Sequence, residues 1–549
     1  MDLAKKAAED ATAEKASFLA NMSHEIRTPF NALLSCSIFL LDTTLSEVQR
    51  EYVEIIRSSA MLTLNIIDAI LAFSKIEHGS ITLDNSPFSL RECVESAIQL
   101  VAEPAATKDL ELVHFNKCGE IDIIYGDVTR VRQIIINLVG NAVKFTSKGH
   151  IVVETHAEKV SSDNRYEFVI SVKDTGIGIP KNAKNKIFRA FSQVDGSSRR
   201  VYGGSGLGLA ISKKLAELMG GSLSFESDDN QGTTFWFDLV AVAKIDEEPS
   251  LSHLLYKGKK CLVADHHETA KAALQTELER LGFEVDLCTK TEVVNMVRNK
   301  PKGFYSLVFI DSKLMSLECE ESIEIKAYSE RTQIIYLTIF GGTLPTDSEK
   351  KGISAILMRP AQRSRLTQII KSILHPSWNA SEQVESATKT QDKGIISSLA
   401  IQHPLKILLA EDNPINTRVA LQHLKRMGYQ ADHAKDGVEV LLKCANEIEK
   451  GEPMYDCVLM DVQMPKKDGI AAAQELNELY SEARNVMDRH GSRVLAPSII
   501  ALTANAAGED RQKCLNSGMI NYIAKPILPA DLAAVLMGVV PLKERRRTS

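Results

Sequence analysis

The sequence has no long apolar run, no closely spaced cysteine pair and no excess of positive charge. No uninterrupted apolar stretch reaches about 18 residues, so a membrane-spanning helix is not expected, and the N-terminus lacks a signal-peptide pattern. The nine cysteines are scattered without a CxxC pair, which excludes the usual zinc motifs and is typical of buried thiols in a reducing compartment. A net charge of −6 argues against nucleic acid as a partner. We therefore expect a cytoplasmic chain.

The composition is otherwise that of ordinary globular protein, with 44% hydrophobic and 25% charged residues. A length of 549 residues allows roughly three to five domains. Residues 1–16 are rich in alanine, lysine and glutamate and continue without a helix breaker into the next segment. A helix that arrives uncapped at Met1 leads us to expect a sensor domain upstream, through which the full-length protein could attach to a membrane. A frayed extension is the alternative.

Residues 1–80 are predicted to form a helical hairpin that displays a histidine. Apolar residues recur at steps of three and four around His24, which places its imidazole on the opposite, solvent-facing side of the helix. Glu25 is adjacent and Thr28 lies one turn further along, so the imidazole has a carboxylate base beside it. An ordinary surface histidine is the alternative.

The second helix of this hairpin is predicted to start at Ser46, where Gln49 completes a capping box, and to end at Gly79. Both helices carry an apolar stripe, and a single hairpin cannot bury both stripes. We therefore expect a homodimer in which two hairpins form a four-helix bundle.

Residues 86–245 mix helices and strands and contain a helix with a polar face. Asn137, Asn141 and Lys144 fall on one side of this helix by its periodicity, and apolar residues fall on the other. Asparagine is a mediocre helix former, so two asparagines one turn apart suggest a role. Their amide oxygens are suited to holding a hard cation and its waters. A plain polar face is the alternative.

Two glycine-rich segments of the same region predict a nucleotide site. A strand ends at Asp174, and Gly176 and Gly178 follow it, where backbone without side chains can approach a ligand closely. The second segment precedes a helix, whose N-terminus presents N–H groups and a positive dipole end to phosphate. Its glycines are Gly204, Gly206 and Gly208. Either segment alone is also compatible with a simple turn.

Residues 257–375 and 404–540 share one order of alternating strands and helices. This order predicts two doubly wound parallel sheets and therefore an internal duplication. The polar, serine-rich residues 376–403 between them are interpreted as a linker.

The second copy carries five candidate residues at the carboxyl ends of its strands, where doubly wound folds bind ligands. Three of them are the carboxylates Glu411, Asp412 and Asp461, which repel one another unless a divalent cation neutralises them. Thr503 and Lys525 follow two further strands and are suited to binding a phosphoryl group on Asp461. Acidic strand-end loops are common singly, but five residues in register favour a site.

The first copy is altered at the corresponding positions. His266 replaces the second acid after the first strand and Arg359 replaces the lysine, whereas Asp311 is retained with Asp265 as its only acidic neighbour. An imidazole and a guanidinium in the pocket should weaken Mg²⁺ binding, because the charge of the ligands sets cation affinity. We expect this copy to be a binding or spacer module.

These motifs, in this order and spacing, resemble those of the hybrid sensor histidine kinases. Residues 23–29 resemble the phosphoacceptor box of that family, and residues 187–191 its phenylalanine motif, with Arg189 where the family usually has glutamate. The resemblance implies a multidomain α and α/β fold. Its parts would be a dimeric helical-hairpin four-helix bundle, an α/β-sandwich ATPase domain, a degenerate receiver and a complete receiver.

The resemblance also implies ATP and Mg²⁺ as cofactors. Asp174 would bind the adenine amino group, Asn137 and Asn141 would hold Mg²⁺ on the phosphates, and residues 181–203 would be the ATP lid. Lys144 would contact phosphate.

By the same resemblance, His24 would attack the γ-phosphate of ATP with Glu25 as its base, and the phosphoryl group would then pass to Asp461. Thr28 matches the threonine of the family's phosphatase motif, which positions an attacking water. A histidine-phosphotransfer protein would be the downstream partner of this multistep phosphorelay.

Two other classes of function fit parts of the sequence. A signalling scaffold with weak or no kinase activity is favoured only by Arg189 and by the altered first receiver copy. An ATPase of the gyrase or chaperone type would share the nucleotide motifs, but it would need neither His24 nor a receiver. The sequence names neither the stimulus nor the downstream partner, and it leaves open whether autophosphorylation occurs within one chain or across the dimer.

Overall fold

The computed structural model describes most of the chain after residue 43 and part of the segment before it. The described residues are 22, 26–27, 29–30, 32–34, 36–41, 43–77, 82–119, 121–161, 163–192, 206–229, 231–244, 256–301, 303–314, 332–339, 352–374, 399–450, 455–487, 495–503, 513–525, 527 and 529–542. They belong to two compact units. The described residues between 66 and 374 lie in one unit, and those between 22 and 65 and between 399 and 542 lie in the other.

The described residues of the N-terminal segment are largely helical, as predicted. Helix α1 spans Ala32–Leu41 and helix α2 spans Glu47–Glu77. The predicted capping box is present: the Ser46 N–H donates to Gln49 Oε1 at 3.0 Å, and the Gln49 N–H donates to Ser46 Oγ at 3.3 Å. Cys36 of α1 is exposed, unlike the buried thiols that we predicted.

Helix α2 keeps an apolar surface in contact with solvent. Val48 and Ile55 are 57% and 53% exposed, whereas Ile70 and Phe73, further along, pack on the core of the next domain. The stretch Glu47–Ser74 contains an 18-residue window with a mean hydropathy of 1.5. Among the described residues, it is the one helix long and apolar enough to cross a membrane by length and composition. Charged residues interrupt it, so the sequence shows no continuous apolar run.

Residues 82–244 form an α/β sandwich. Its strands are β1 Ser86–Ser89, β2 Glu111–Asn116, β3 Ile123–Gly126, β4 His150–Lys159, β5 Arg165–Asp174, β6 Ser222–Ser227 and β7 Thr233–Lys244. Its helices are α3 Leu90–Gln99, α4 Ala102–Thr107, α5 Val128–Phe145 and α6 Gly208–Leu218. The seven-stranded sheet has the order β1-β3-β7-β5-β4-β2, with β6 paired to β7. Helices α3, α5 and α6 contribute buried apolar residues to the same core as the strands, so they cover one face of the sheet.

Helix α5 begins where its sequence predicts. The Asp127 carboxylate accepts hydrogen bonds from the N–H groups of Thr129 and Arg130 at 3.0 and 3.1 Å, which caps the helix. Its apolar residues, including Ile135 and Leu138, are fully buried. The polar face is therefore fixed in the opposite direction.

The two predicted receiver-like units are both five-stranded parallel sheets with helices. The first contains β8 Lys260–Ala264, α7 Glu268–Arg280, β9 Glu284–Cys288, α8 Lys290–Arg298, β10 Leu307–Asp311, β11 Gln333–Ile339, β12 Ala355–Arg359 and α9 Arg363–Leu374. The second contains α10 Leu399–Gln402, β13 Ile407–Ala410, α11 Pro414–Arg426, β14 Ala431–Ala434, α12 Gly437–Lys450, β15 Cys457–Asp461, α13 Gly469–Met487, β16 Ser498–Thr503, β17 Asn521–Ala524 and α14 Pro529–Met537.

The sheet orders of the two units are the same. They are β9-β8-β10-β11-β12 and β14-β13-β15-β16-β17, and every pairing is parallel. In each unit the first strand lies between the second and the third. The loops after the first and third strands therefore meet at one edge of the sheet. The predicted fold class is confirmed.

Candidate functional site

The polar face of α5 brings the two predicted asparagines together. Both are half-buried, and Asn141 Nδ2 lies 3.5 Å from Asn137 Oδ1. Asn137 Nδ2 also donates to Ser212 Oγ of α6 at 2.8 Å. This contact holds the amide of Asn137 between the two helices, with its oxygen toward Asn141.

Lys144 lies on the same face, near the end of α5. Burial lowers the pKa of its ammonium, whose Nζ lies 4.9 Å from the centre of the Phe145 ring. Sequence reasoning missed Lys108, which donates to the carbonyl oxygens of Val143 at 2.6 Å and Lys144 at 3.1 Å. Lys108 thus caps the C-terminus of the helix that carries the asparagines.

Asp174 ends β5 and is 7% exposed. Its Oδ1 accepts a hydrogen bond from the Gly176 N–H at 2.8 Å. Burial raises the pKa of the Asp174 carboxyl, and backbone hydrogen bonds from Gly176 and Thr233 oppose this shift. A β-carbon at Gly176 would lie 2.5 Å from the Phe145 carbonyl oxygen, so only glycine fits between this loop and α5.

The second glycine-rich segment meets the asparagine face directly. Gly206 has a φ of +68°, a conformation that favours glycine, and Gly208 begins α6. A β-carbon at Gly208 would lie 2.3 Å from Asn137 Oδ1. The start of α6 therefore lies so close to Asn137 that position 208 has no room for a side chain. Gly204 lies outside the described residues.

The C-terminal receiver unit brings its predicted carboxylates together around one lysine. Ligand oxygens of Glu411, Asp412 and Asp461 lie within 4.8 Å of one another, a spacing that suits a divalent cation. Lys525 Nζ lies 2.6 Å from both Glu411 Oε2 and Asp461 Oδ2. Thr503 ends β16, and its carbonyl oxygen accepts a hydrogen bond from the Lys525 N–H at 2.7 Å.

The charged groups of this pocket shift one another's pKa values. Burial raises the pKa of Asp461 to about 6, with Lys525 opposing the shift and Glu411 adding to it. Burial alone would lower the pKa of Lys525, but Glu411 and Asp461 outweigh it and raise that pKa. The pocket thus holds a buried ammonium and carboxylates that favour added positive charge.

Two further residues support the pocket and carry no sequence signal. Asn416 Nδ2 donates to Glu411 Oε1 at 2.8 Å, and His433 Nε2 lies 2.9 Å from the Glu411 carbonyl oxygen. They orient the carboxylate and the backbone of Glu411. Their contacts with Glu411 depend on the tertiary fold, and no sequence motif indicates them.

The first receiver-like unit has a guanidinium in the equivalent pocket. Arg359 Nη1 lies 2.8 Å from Asp265 Oδ2, and Nη2 lies 2.9 Å from Asp311 Oδ1. His266 Nδ1 forms a hydrogen bond with Asp311. Burial would raise the pKa of Asp311, but Arg359, the hydrogen bond from the Lys313 N–H and His266 together outweigh burial and lower that pKa. Arg359 thus occupies the position between the carboxylates where a cation would bind.

One expectation about this pocket is incomplete. Asp265 is not the only acid near Asp311, because Glu111 of β2 also reaches Arg359 and His266. The distance from Arg359 Nη1 to Glu111 Oε1 is 2.8 Å. No spacing in the sequence connects β2 with this pocket.

The remaining site candidates lie partly outside the described residues. His24, Glu25 and Thr28 are among those not described. In the phenylalanine motif Arg189 is exposed, and the Phe188 ring packs edge-on against Phe225 with centres 5.6 Å apart.

Three family models match this chain, in the order that the geometry suggests. The "His Kinase A (phospho-acceptor) domain" matches residues 14–79, and the "Histidine kinase-, DNA gyrase B-, and HSP90-like ATPase" matches residues 126–242. The "Response regulator receiver domain" matches residues 407–537. This chain belongs to the hybrid histidine kinases. Its first and last matched domains exclude a gyrase- or chaperone-type ATPase, which the second match alone would allow.

Hybrid histidine kinases from several organisms align with almost all of this chain. "Histidine protein kinase 1" of Candida albicans is 48% identical over 540 residues, which cover 98% of this chain and 20% of that protein. "Sensor histidine kinase GacS" of Pseudomonas protegens is 34% identical over 551 residues, which cover 98% of this chain and 56% of that protein. The chain thus spans about half or less of the length of these relatives.

A solved structure shares the fold. "Crystal structure of ShkA full-length in complex with AMPPNP" matches with a TM-score of 0.51 and 26% identity, over 95% of this chain and 99% of that chain.

The ATP-binding domain is the name used below for residues 82–244, and the receiver-like domain is the name for residues 256–374. Residues 399–542 are called the receiver.

Proposed function

We propose that this chain autophosphorylates His24 with ATP and passes the phosphoryl group to Asp461 of the receiver. The observation that supports this most directly is the Glu411, Asp412 and Asp461 cluster with Lys525 in contact. It has the charges needed for an acyl phosphate and its counter-ions. A chain that served only as a scaffold would not need this pocket.

The nucleotide would bind between α5, the loop after Asp174 and the start of α6. Asp174 would accept a hydrogen bond from the adenine amino group, and the glycines would bring backbone N–H groups close to the phosphates. Asn137 and Asn141 would hold Mg²⁺ through their amide oxygens, and Lys144 would contact phosphate. The adjacency of Asn137 and Gly208 supports this assignment, because it joins two predicted parts of the site.

At the receiver, the residues fit a second Mg²⁺ site. Glu411, Asp412 and Asp461 would hold the ion, whose charge offsets the repulsion between a carboxylate and an incoming phosphoryl group. Asp461 then attacks the phosphorus of phosphohistidine as its P–N bond breaks, and His24 recovers a proton. Lys525 and Thr503 bind the transferred group.

The exposed apolar surface of α2 supports a homodimer through the hairpin, as does the matched phosphoacceptor domain. We also propose a histidine-phosphotransfer protein as the acceptor from Asp461. These reactions would take place in the cytoplasm, where ATP is available. A scaffold with weak kinase activity is the second candidate, favoured by the exposed Arg189 and the altered receiver-like pocket.

Radiolabelling of the purified chain tests the proposal. With Mg²⁺ and γ-labelled ATP, the wild type should acquire both acid-labile phosphohistidine and alkali-labile acyl phosphate. His24→Gln should acquire neither, while His156→Gln, a change of an exposed histidine on β4, should behave as wild type. A wild type that takes up no label would favour the scaffold. Label in His24→Gln would show that the acceptor histidine is wrong.

A further inference from the structure

The ATP-binding domain buries part of the outer face of its sheet. Val113 of β2 and Val152 of β4 are register partners and point away from the helix-covered core. Valines on an uncovered face would be exposed, but these are only 5% and 7% exposed. They pack against Ala270 and Ala273 of α7, which belongs to the receiver-like domain.

A buried ionic contact lies beside this apolar patch. Glu111 precedes Val113 on the same face of β2 and is 3% exposed. Its Oε1 lies 2.8 Å from Arg359 Nη1, and its Oε2 lies 3.7 Å from His266 Nε2. Both partners belong to the pocket around Asp311 in the receiver-like domain, which is called the degenerate pocket below. Burial raises the pKa of Glu111, while Arg359 and His266 act in the opposite direction.

Further polar contacts join the same two domains. Arg280 Nη2 of α7 donates to the Asn116 carbonyl oxygen of β2 at 3.1 Å. Arg91 Nη1 of α3 donates to Glu277 Oε2 of α7 at 3.3 Å, and both side chains are largely buried. The contact therefore combines an apolar centre with charged pairs, as specific interfaces do.

We propose that the receiver-like domain is a docking module for the ATP-binding domain, and that its degenerate pocket binds the Glu111 carboxylate. In the receiver, Lys525 would neutralise a phosphoryl group on the acceptor aspartate. In the receiver-like domain, Arg359 neutralises the two aspartates and a carboxylate supplied by β2. The Glu111 carboxylate therefore takes the place of the phosphoryl group that the receiver would hold.

The docked pocket has no room for phosphorylation. Asp311 is fully buried, with one carboxylate oxygen on Arg359 and the other on His266. An in-line attack needs a free carboxylate oxygen facing the donor. His266 and Arg359, which replace the second acid and the lysine of the receiver, thus remove the acceptor chemistry of Asp311. The same two residues form the binding site for Glu111.

Hydrogen exchange of β2 in the full chain measures this docking without using kinase activity. Ala273→Glu places a charge in the apolar patch from the receiver-like side. We expect amides of residues 110–116 to exchange at least about tenfold faster in this variant. Gln275→Glu adds the same charge to a half-buried position of α7 outside the apolar patch and should leave their exchange unchanged.

A charge exchange tests the Glu111 assignment itself. Glu111→Lys places a cation against Arg359 and His266 and should speed exchange in α7 to a similar extent. The double variant Glu111→Lys with Arg359→Gln restores one cation between Asp265 and Asp311, so protection should return. Binding of an ATP analogue by each variant would show that the ATP-binding domain is folded.

The outcomes separate the two parts of the proposal. Unchanged β2 exchange in Ala273→Glu would overturn docking. Loss of protection in Glu111→Lys without recovery in the double variant would overturn the role of the pocket. If Glu111→Lys fails to bind nucleotide, Ala273→Glu still tests docking. Arg359→Glu, which repels Glu111 from the receiver-like side, then replaces Glu111→Lys as the test of the pocket. Unchanged α7 and β2 exchange in Arg359→Glu would then contradict the assignment.

Discussion

A β-carbon at Gly208 would lie 2.3 Å from the side-chain oxygen of Asn137. Asn137 also donates to Ser212 one turn further along α6, so it cannot move away without losing this hydrogen bond. The position of α6 and the orientation of the proposed Mg²⁺ ligand are therefore linked.

Gly208→Ala should lower autophosphorylation by at least about tenfold, equivalent to roughly 1.4 kcal/mol, because the added methyl displaces Asn137. Gly140→Ala is the matched control. Gly140 lies on α5 with open space around its α-carbon, so alanine there should keep activity and slightly raise the melting temperature. Equal loss in both variants would mean that helix perturbation, rather than Asn137, is responsible.

Asn141→Asp should nearly abolish autophosphorylation, with a loss of about a hundredfold or more, or roughly 2.7 kcal/mol. A carboxylate beside Asn137 would add negative charge near the ATP phosphates and change the ligands offered to the metal. Initial rates at saturating ATP measure the effect. Gln133→Glu makes the same amide-to-acid change on α5 beside Arg130, and its rate should stay close to that of wild type.

Asp461→Asn should leave label on His24 alone, because Asp311 is held by Arg359 and His266. The label should be acid-labile and alkali-stable. If alkali-labile label appears in Asp461→Asn and is lost again in Asp461→Asn with Asp311→Asn, the receiver-like domain accepts phosphate after all.

Thr28→Ala should slow the loss of phosphate from Asp461 while keeping the rate of autophosphorylation, since the resemblance gives Thr28 the placement of an attacking water. Chase experiments with unlabelled ATP measure this rate. Thr43→Ala removes an exposed hydroxyl at the hairpin turn and should decay as wild type does. Matching decay in all three proteins would remove Thr28 from this role.

Glu95→Gln should stabilise the ATP-binding domain above neutral pH. Burial raises the pKa of Glu95 to about 7, with Arg363 and Arg91 opposing the shift and Glu277 and Asp122 adding to it. Because the folded pKa lies above the ordinary value, the contribution of protonated Glu95 to stability is complete at low pH. It is lost as the pH rises through about 7.

The gain for Glu95→Gln should therefore be small at pH 5 and reach at most about 3 kcal/mol at pH 8. Thermal unfolding at both values measures it. Glu103→Gln, at an exposed position of α4, should show no such pH dependence. A gain that is equal at pH 5 and pH 8 would mean that the charge of Glu95 is not its cause.

The sequence by itself determined the elements and much of the site. The alternation of apolar and polar residues placed Asn137 and Asn141 on one face of α5, because helical periodicity is a local property. The strand order of the receiver then brought Glu411 and Asp461 together, because parallel strands end at one edge of a sheet. Both followed from patterns within a few residues or from one repeated topology.

Only the tertiary structure decided what lies on the outer face of β2. The local pattern of β2 says that Glu111 and Val113 share a face, but it does not say what covers that face. Their burial depends on α7 and on Arg359, which are distant in the chain and fold into another domain. Contacts between domains depend on the shape and charge of two finished surfaces, and no spacing within either segment encodes them.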